Sequence, residues 1–456
     1  MDVLSLIPTH LTSQSDRLRA SFVCRYWRRI LLQRAQLWSQ LFLSKGQAYV
    51  ETLLERAGGS ALDITVGYRD WLSKIRLLSS HTRQIGRLKF LPTSWAKIHM
   101  FSQIISGPMP LLQVLEITIS GSEHTRPSPF DLATNFSFYS NPNRPPFLNS
   151  FLCPNLTFFR LSTSPSKIFH ASQLLDFLET SPMLRTVHLE VIADISLHQV
   201  PQRNVVVLPN IENFELVMSD GRSGYKMATR ISCPSARRVS LTHKIESYDT
   251  ISEDFFPTPD SWDAIVSHYS RNPIEGASLE TSTTPILICK LSFLSPGPNV
   301  IELYCQVVEE DLSLAFAETR NRVFAQATRT VRSHPQLANL RRLHICHNHR
   351  SVGTTDVPYL ASDVSRLFKS LGPLDELIIS RSDLRPYFNS FLEGPAVFPK
   401  IKELAISHPV YQFPAEYTSA VVGFARRQYV RGIALERVII CAIEMEWGLR
   451  LWVSSI

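Results

Sequence analysis

The fold of most of this chain is set by one short stretch, Pro182-Met183-Leu184-Arg185-Thr186-Val187-His188-Leu189. Its apolar residues stand at Leu184, Val187 and Leu189. Because side chains alternate along a strand, Val187 and Leu189 share one face and His188 lies on the other. Pro182 cannot donate a hydrogen bond to a sheet, so it marks the turn that enters the strand. The octet predicts a turn and a short strand that buries one face.

The same apolar spacing, L-x-x-L-x-L, occurs eleven times in the chain. The first positions of the copies are Ile85, Leu112, Leu156, Leu184, Ile211, Ala236, Val300, Leu340, Leu374, Ile401 and Leu435. In seven copies a proline stands two residues earlier, and five of the ten separations are 25–28 residues. Units of this size cannot bury their apolar faces alone, so they stack on one another.

Helical patterns lie between the predicted strands, at Phe169–Thr180, Ser261–Ser270, Leu312–Val331 and Ala415–Val430. The expected fold class is α/β: a solenoid over residues 61–456 with parallel strands inside and helices outside. This pattern resembles degenerate leucine-rich repeats. The asparagine ladder of regular repeats is not found, so we expect an irregular arc. Two stretches break the period and are expected as insertions, at 120–150 and 247–298.

Composition excludes several classes of protein. With 44% hydrophobic residues the chain can bury a large core, and runs such as Val438–Ile443 are far too short to cross a bilayer. Met1–Ser15 has no basic segment before its apolar residues, so we expect no secretory signal. Seven cysteines without a C-x-x-C pair indicate a reducing compartment, the cytoplasm or the nucleus.

Residues 1–45 carry a different pattern of three short apolar segments. The first holds Val3, Leu4, Ile7 and Leu11. From Leu18 to Leu31 the apolar residues follow one helical stripe. The third segment is Leu37-Trp38 followed by Leu41 and Leu43. Three such segments can close into a small helical domain, which is near the lower size limit for independent stability and therefore needs to be docked.

This N-terminal segment resembles the F-box, in its fungal form. The resemblance lies in Val3-Leu4-Ser5-Leu6-Ile7, in Ala20-Ser21-Phe22-Val23-Cys24-Arg25-Tyr26-Trp27-Arg28 and in Leu37-Trp38-Ser39. The Leu-Pro-x-Glu opening that is usual in the family is missing from the printed sequence. The family implies docking to the Skp adaptor of cullin–RING ubiquitin ligases. On this sequence the implied adaptor-binding residues are Leu4, Ile7, Leu11, Leu18, Val23, Trp27, Leu37 and Trp38; the opposing interpretation is that Trp27 and Trp38 are core aromatics of an unrelated helical cap.

We therefore expect an F-box-like domain at 1–45, a linker helix at 46–60 and the repeat region behind it. Seven basic residues against two acidic ones give residues 1–45 a net charge of +5 out of the total of +7. Such clustering on a short helix indicates a solvated face or an acidic protein partner rather than nucleic acid. We expect a monomer that binds neither nucleic acid nor membrane.

The repeat spacing also predicts a target-binding surface. The residue between the last two apolar positions of each copy points away from the core. These residues are Glu116, Arg160, His188, Glu215, Ser240, Tyr304, His344, Ile378, Ala405 and Ile439. The row is polar at its start and apolar at its end. We expect the segment Glu444–Ile456 or a target to cover the apolar end, the segment being favoured because repeat arrays need an end cap.

No common catalytic motif is found in the sequence. G-x-G-x-x-G, G-x-x-x-x-G-K-[ST], H-E-x-x-H and G-x-S-x-G are all missing. The densest set of metal-ligand types, His344–His349, has no matching ligand pair elsewhere, so we expect exposed polar residues there and no metal or cofactor. Three functions stay open: a substrate receptor of an SCF-type ubiquitin ligase, a repeat scaffold with a degenerate F-box and no ligase role, and an enzyme, the least favoured.

Overall fold

The structure is a computed structural model that divides into two compact units, Met1–Ile211 and Glu212–Ile456. It describes residues 14–67, 72–93, 95–105, 107–119, 153–163, 171–191, 205–218, 221–245, 256–269, 276–282, 287–294, 300–307, 340–348, 373–380, 401–408, 415–430, 436–444 and 448–454, with single positions between 323 and 330 and at 368–369.

Unit 1 begins with helices and continues as alternating strands and helices. Its helices are α1 Gln14–Ser21, α2 Arg25–Gln33, α3 Gln47–Ala57, α4 Leu72–Leu78, α5 Trp95–Ile104 and α6 Ala171–Glu179, with 3-10 turns at Ala35–Trp38 and Ser79–Gln84. Its strands are β1 Gln40–Phe42, β2 Leu62–Val66, β3 Ile85–Thr93, β4 Val114–Ile119, β5 Phe158–Thr163, β6 Thr186–Val191 and β7 Val206–Val207. Strands β1 to β6 pair in chain order, and every pair is parallel.

Among the described residues, unit 2 contains more strands than unit 1. Its helices are α7 Gly221–Ala228, α8 Pro259–Tyr269 and α9 Ala415–Val430. Its strands are β8 Asn213–Met218, β9 Ile231–Ser232, β10 Arg238–Ile245, β11 Gly276–Ser282, β12 Leu287–Leu294, β13 Val300–Val307, β14 Arg342–Asn348, β15 Leu374–Ser380, β16 Ile401–His408, β17 Arg437–Glu444 and β18 Gly448–Ser454. The strand order in its sheet is β8-β10-β13-β12-β11-β14-β15-β16-β17-β18.

The burial predicted from the repeat spacing is confirmed wherever the structure describes the side chains. In nine of the eleven copies all three apolar positions are buried. In the octet Pro182–Leu189, the residues Leu184, Val187 and Leu189 are each at most 1% exposed. The copies that begin at Val300 and Leu435 include positions whose side chains lie outside the described set. The three apolar positions of each copy therefore mark the face of the sheet that is buried.

Helices cover that buried face through aromatic contacts. Phe90 of β3 meets Phe101 of α5 edge to face, with ring centroids 4.9 Å apart. Phe159 of β5 packs at 4.8 Å against Phe177 of α6. In unit 2, Tyr269 of α8 stacks on a strand phenylalanine and donates its hydroxyl hydrogen bond to the Ala228 carbonyl at 3.0 Å. Each helix thus buries large rings on the strands beside it.

Asparagine side chains join successive turns in unit 1, at a different position from the asparagine ladder of regular repeats. Asn155 donates from Nδ2 to the carbonyl of Pro110 at 2.8 Å, and Asn210 donates to the carbonyl of Pro182 at 3.0 Å. Each asparagine follows a repeat proline and binds the proline of the preceding copy. These bonds lie at the turn before the strand, whereas the asparagine of a regular leucine-rich repeat follows the strand.

The predicted elements agree with the structure to different degrees. The linker helix expected at 46–60 is α3, and it ends at Gly58, whose φ of 55° lies in the left-handed region that favours glycine. Patterns at Ser261–Ser270 and Ala415–Val430 correspond to α8 and α9. The expected insertion at 120–150 lies outside the described residues, as does most of the pattern at Leu312–Val331.

Strand direction departs from the expectation of parallel strands in two places. Residues 247–298, expected as an insertion, supply α8, β11 and β12, and the pairs β11–β12 and β12–β13 are antiparallel. At the end of the chain β18 pairs antiparallel with β17. Residues 448–454 of the segment expected as an end cap therefore pair with the edge of β17, whose N–H and C=O groups would otherwise be left unpaired on that side.

Candidate functional site

The first candidate site lies at the junction of α1 and α2, where the sequence predicts one continuous helix and the structure shows a break. The N–H groups of Phe22 and Val23 donate to the carbonyls of Arg19 and Ala20, which tightens the end of α1. Cys24 is extended (φ −157°, ψ 168°), and its Sγ accepts a hydrogen bond from Trp27 N at 3.5 Å. Cys24 thus acts as the N-cap of α2, and the predicted helix divides there.

The break leaves a pair of apolar side chains in solvent. Phe22 is 73% exposed and Val23 is 68% exposed. Tyr26 and Leu32 on α2 are also exposed. Isolated exposed apolar residues are common, but four of them fall within residues 22–32, and apolar surface concentrated in this way is found at interaction sites. We call this set, Phe22, Val23, Tyr26 and Leu32, the apolar strip.

Arginines lie against the apolar strip. The guanidinium carbon of Arg28 is 5.5 Å from the Phe22 ring centre, and that of Arg29 is 5.7 Å from the Tyr26 ring centre. Each such cation–π contact contributes roughly 0.5–1 kcal/mol at an exposed site. The contacts orient the rings while the charges remain in solvent. The strip therefore offers an apolar surface with a positive rim.

A tightly packed base supports the strip. Trp38 is fully buried, donates from Nε1 to the Leu31 carbonyl at 2.8 Å, and lies under Arg56 of α3 at 4.9 Å. Arg17 is also buried and donates to the Leu37 carbonyl at 2.8 Å. Burial lowers the pKa of Arg17 below its usual value. These bonds hold α1 and α2 on the 3-10 turn that precedes β1.

The structure separates the sequence-predicted adaptor-binding residues into two groups. Val23 is exposed, and Leu18 and Trp27 are half-buried. Leu37 and Trp38 are buried, so in this arrangement they support the surface and do not form it. Leu4, Ile7 and Leu11 lie outside the described residues.

Sequence reasoning missed Phe22, Tyr26 and Leu32 as surface residues. The apolar positions from Leu18 to Leu31 keep their helical spacing across the break, so a single stripe gives no sign that Phe22 leaves the buried face. The signal that could have found it is Ser21 and Cys24, two small polar residues that bond to backbone at helix ends. Ser21 Oγ donates to the Leu18 carbonyl at 2.6 Å.

The second candidate site is the sheet face opposite the helices, which we call the outer face. In unit 1, Glu116, Arg160 and His188 are register neighbours on β4, β5 and β6, as predicted. Glu116 also binds Lys89 of β3 at 3.1 Å between Oε2 and Nζ. Arg160 is exposed. Charged and polar groups therefore form a continuous row across four parallel strands.

The outer face of unit 2 changes from polar to apolar along its strands. Glu215, Ser240, His344, Ile378, Ala405 and Ile439 hold row positions, as the spacing predicts. Tyr304 does not, because it pairs with Thr242, and Glu302 pairs with Ser240 in its place. His344 Nε2 lies 3.3 Å from Ser380 Oγ.

Opposite charges face one another where the last parallel strands begin. Lys402 lies 2.6 Å from Asp375, and Arg437 lies 2.6 Å from Glu403. The hydrogen bond from Lys402 lowers the pKa of the Asp375 carboxyl, and the charges of nearby basic residues act in the same direction. In unit 1 burial raises the pKa of Asp63, partly offset by Arg87 at 3.7 Å. Exposed pairs of this kind contribute little stability.

Two negative findings apply to the described part of the chain. Its side chains include no group of three His, Cys, Asp or Glu residues placed to hold a metal ion. None of the helices within the described ranges is both long and apolar enough to cross a membrane.

These features define a chain whose first unit begins with a small helical module and whose two units are both of mixed α/β structure. Comparison with known families gives the module its class: residues 1–44 match the F-box-like family. The match covers the N-terminal module alone, and F-box domains commonly bind Skp-type adaptors. No curated protein matches the chain.

Proposed function

We propose that the chain is a substrate-receptor subunit of an SCF-type ubiquitin ligase. In this proposal the F-box-like domain binds a Skp-type adaptor and, through it, a cullin, while the outer face holds a target protein. The observation that carries the proposal is the apolar strip with its arginine rim, located inside the segment that matches the F-box-like family. The role needs no catalytic residue and no cofactor.

The apolar strip fits the energetics of docking. Fully burying a phenylalanine or valine side chain contributes about 1.5–3 kcal/mol, and Phe22 and Val23 are already held in place by the turn after α1. A surface that is ordered before binding loses little side-chain entropy. The positive rim favours an acidic partner and should mainly raise the association rate.

We also propose that the repeats form an irregular leucine-rich-repeat solenoid. Four observations support it: the buried apolar triplets, the parallel pairing in chain order within unit 1, the helices on one sheet face, and the asparagine bonds from Asn155 and Asn210 to the preceding copy. Each bond joins neighbouring copies only, as in a repeat array.

Within that solenoid the target would bind the outer face. Its candidate residues are Glu116, Arg160, His188, Glu215, His344, Ile378 and Ile439, with Glu302 in the row position first assigned to Tyr304. Rigid strands hold these side chains at fixed spacing, which suits recognition.

The test of the adaptor role is a titration of the purified full chain with a purified Skp-type adaptor by isothermal calorimetry. The proposal predicts binding at ~10 µM or tighter, equivalent to about −7 kcal/mol. A folded chain that does not bind at that concentration contradicts the ligase role and favours the alternative, a repeat scaffold with a degenerate F-box. Size-exclusion chromatography with adaptor and cullin then shows whether the chain joins the larger complex.

A further inference from the structure

Two cysteines are direct neighbours across one strand pair of unit 2. In the antiparallel pair β12–β13, Cys289 is the register partner of Cys305. Directly opposed residues of an antiparallel pair have Cα atoms about 4.5 or 5.5 Å apart. Both separations lie within the roughly 4.4–6.8 Å that a disulfide spans. The backbone register therefore meets the distance requirement for a cross-strand disulfide.

No other cysteine of the described strands has a cysteine as its register partner. Cys346 of β14 is paired with Glu280 and Ser380. Neither register partner of Cys441 on β17 is a cysteine. The pairing of Cys289 with Cys305 is thus a specific feature of the antiparallel segment, and not a consequence of cysteines being common in the sheet.

Strand β10 lies on the other side of β13 and has a histidine at the register position of Cys305. His243 of β10 is the register partner of Cys305, and it is buried. Burial raises the pKa of the Cys153 and Cys233 thiols, that of Cys153 to about 12, so neither is expected to react readily with peroxide.

We propose that Cys289 and Cys305 are an oxidisable pair that closes to a disulfide when the protein meets hydrogen peroxide. One thiolate attacks a peroxide oxygen, so an S–O bond forms and the O–O bond breaks. The hydroxide released takes up the first thiol's proton and becomes water. The second thiol attacks the sulfenic sulfur, an S–S bond forms, and a second water leaves. The two cysteines lose two electrons, which reduce one peroxide to two waters.

The disulfide would fix the segment that interrupts the parallel order of unit 2. Strands β12 and β13 supply outer-face row positions, among them Ser292 and Glu302. Closing the cross-link keeps these positions in register when the sheet fluctuates. The modification does not depend on adaptor docking, so it goes beyond the proposed function and stands or fails separately.

The test uses the full chain, reduced and then freed of reductant. The protein is divided into two portions, and only one of them is treated with hydrogen peroxide. The free thiols of both portions are then blocked with N-ethylmaleimide under denaturing conditions. Proteolytic digests of the two portions are compared by mass spectrometry. The expected product is a peptide pair joined through Cys289 and Cys305 that lacks two hydrogens and carries no maleimide. Cys153→Ser is the matched control and should form the same product, while Cys289→Ser and Cys305→Ser should not.

Three results would overturn the proposal. The first is maleimide on both cysteines after peroxide treatment. The second is a disulfide from either cysteine to a different partner. The third is protection of both thiols from maleimide under native conditions before any oxidant, relieved by a chelator, which would make the pair a metal site. Because the wild-type chain decides all three, a variant that fails to fold does not weaken the test.

Discussion

The helical module at residues 14–38 and the repeat strands use apolar residues in opposite ways. In the strands, the spaced apolar positions are buried, as at Leu184 and Leu189. In the module, an equally regular stripe contains Phe22 and Val23, which are among the most exposed large apolar residues described. The difference teaches that apolar spacing alone does not distinguish buried positions from exposed ones. In the module, the break between α1 and α2 places Phe22 and Val23 outside the helices and exposes them.

The largest expected effect comes from the buried base of the module. Trp38→Ala removes a fully buried ring and its hydrogen bond to Leu31, which should cost about 3–5 kcal/mol. Hydrogen exchange with mass spectrometry should show faster exchange across residues 14–57 and no change in unit 2. Trp27→Ala is the control, since Trp27 is only half-buried and its loss should be smaller. Equal protection in the Trp38 variant and the wild type would place Trp38 outside the core.

The second effect concerns the end of the sheet. Deleting residues 448–456 removes β18 and leaves the β17 edge unpaired. Exposed edges pair with other chains, so the truncated protein should self-associate. Light scattering after size-exclusion chromatography measures this. A truncated chain that stays monomeric with unchanged melting would mean that β18 does not protect the edge.

Sequence predicted the repeats better than the module, for a physical reason. Side chains alternate between the two faces of a strand, so only two assignments of the buried face are possible. The buried positions were predicted correctly in nine copies. The exception is the copy near Val300, where Pro296 and Pro298 stand two residues apart and either can start the unit. The structure pairs Ile301 with Val239, which selects the frame set by Pro296 and puts Glu302 in the outer row.

The site was less predictable because it depends on a break that apolar spacing does not record. Only the hydrogen bonds around Ser21 and Cys24 end one helix and start the next. The antiparallel strands β11 and β12 were missed for a similar reason, since nothing in the repeat spacing signals a reversal of direction.

A smaller effect is expected at the turns between copies. Asn155→Ala removes the bond to the Pro110 carbonyl and should cost about 0.5–1.5 kcal/mol. Urea denaturation measures the loss. Asn210→Ala, which removes the equivalent bond to Pro182, should cost a similar amount. A null effect in both variants would count against a role for these bonds in joining the copies.

The smallest effect concerns pH. The pKa of Asp375 is lower in the folded chain than in the unfolded chain, so its stabilising effect is present above the unfolded pKa. It is lost as the pH falls through the folded value. Because the pair is exposed, the change should be slight. Asp375→Asn should flatten this part of the acid unfolding profile, and an unchanged profile would show that the Lys402 contact does not stabilise the fold.

The central claim, that the apolar strip is the adaptor-docking surface, is tested most directly by one matched comparison of affinities. The variant Phe22→Ala/Val23→Ala is set against Tyr429→Ala, which removes a ring of similar exposure on α9 (77% for Tyr429, 73% for Phe22). All proteins are used as full chains and titrated with the Skp-type adaptor. The account predicts at least about a tenfold loss of affinity, or 1.4 kcal/mol, for the double variant and none for Tyr429→Ala, with melting temperatures unchanged. Equal affinity of both variants and the wild type would contradict it.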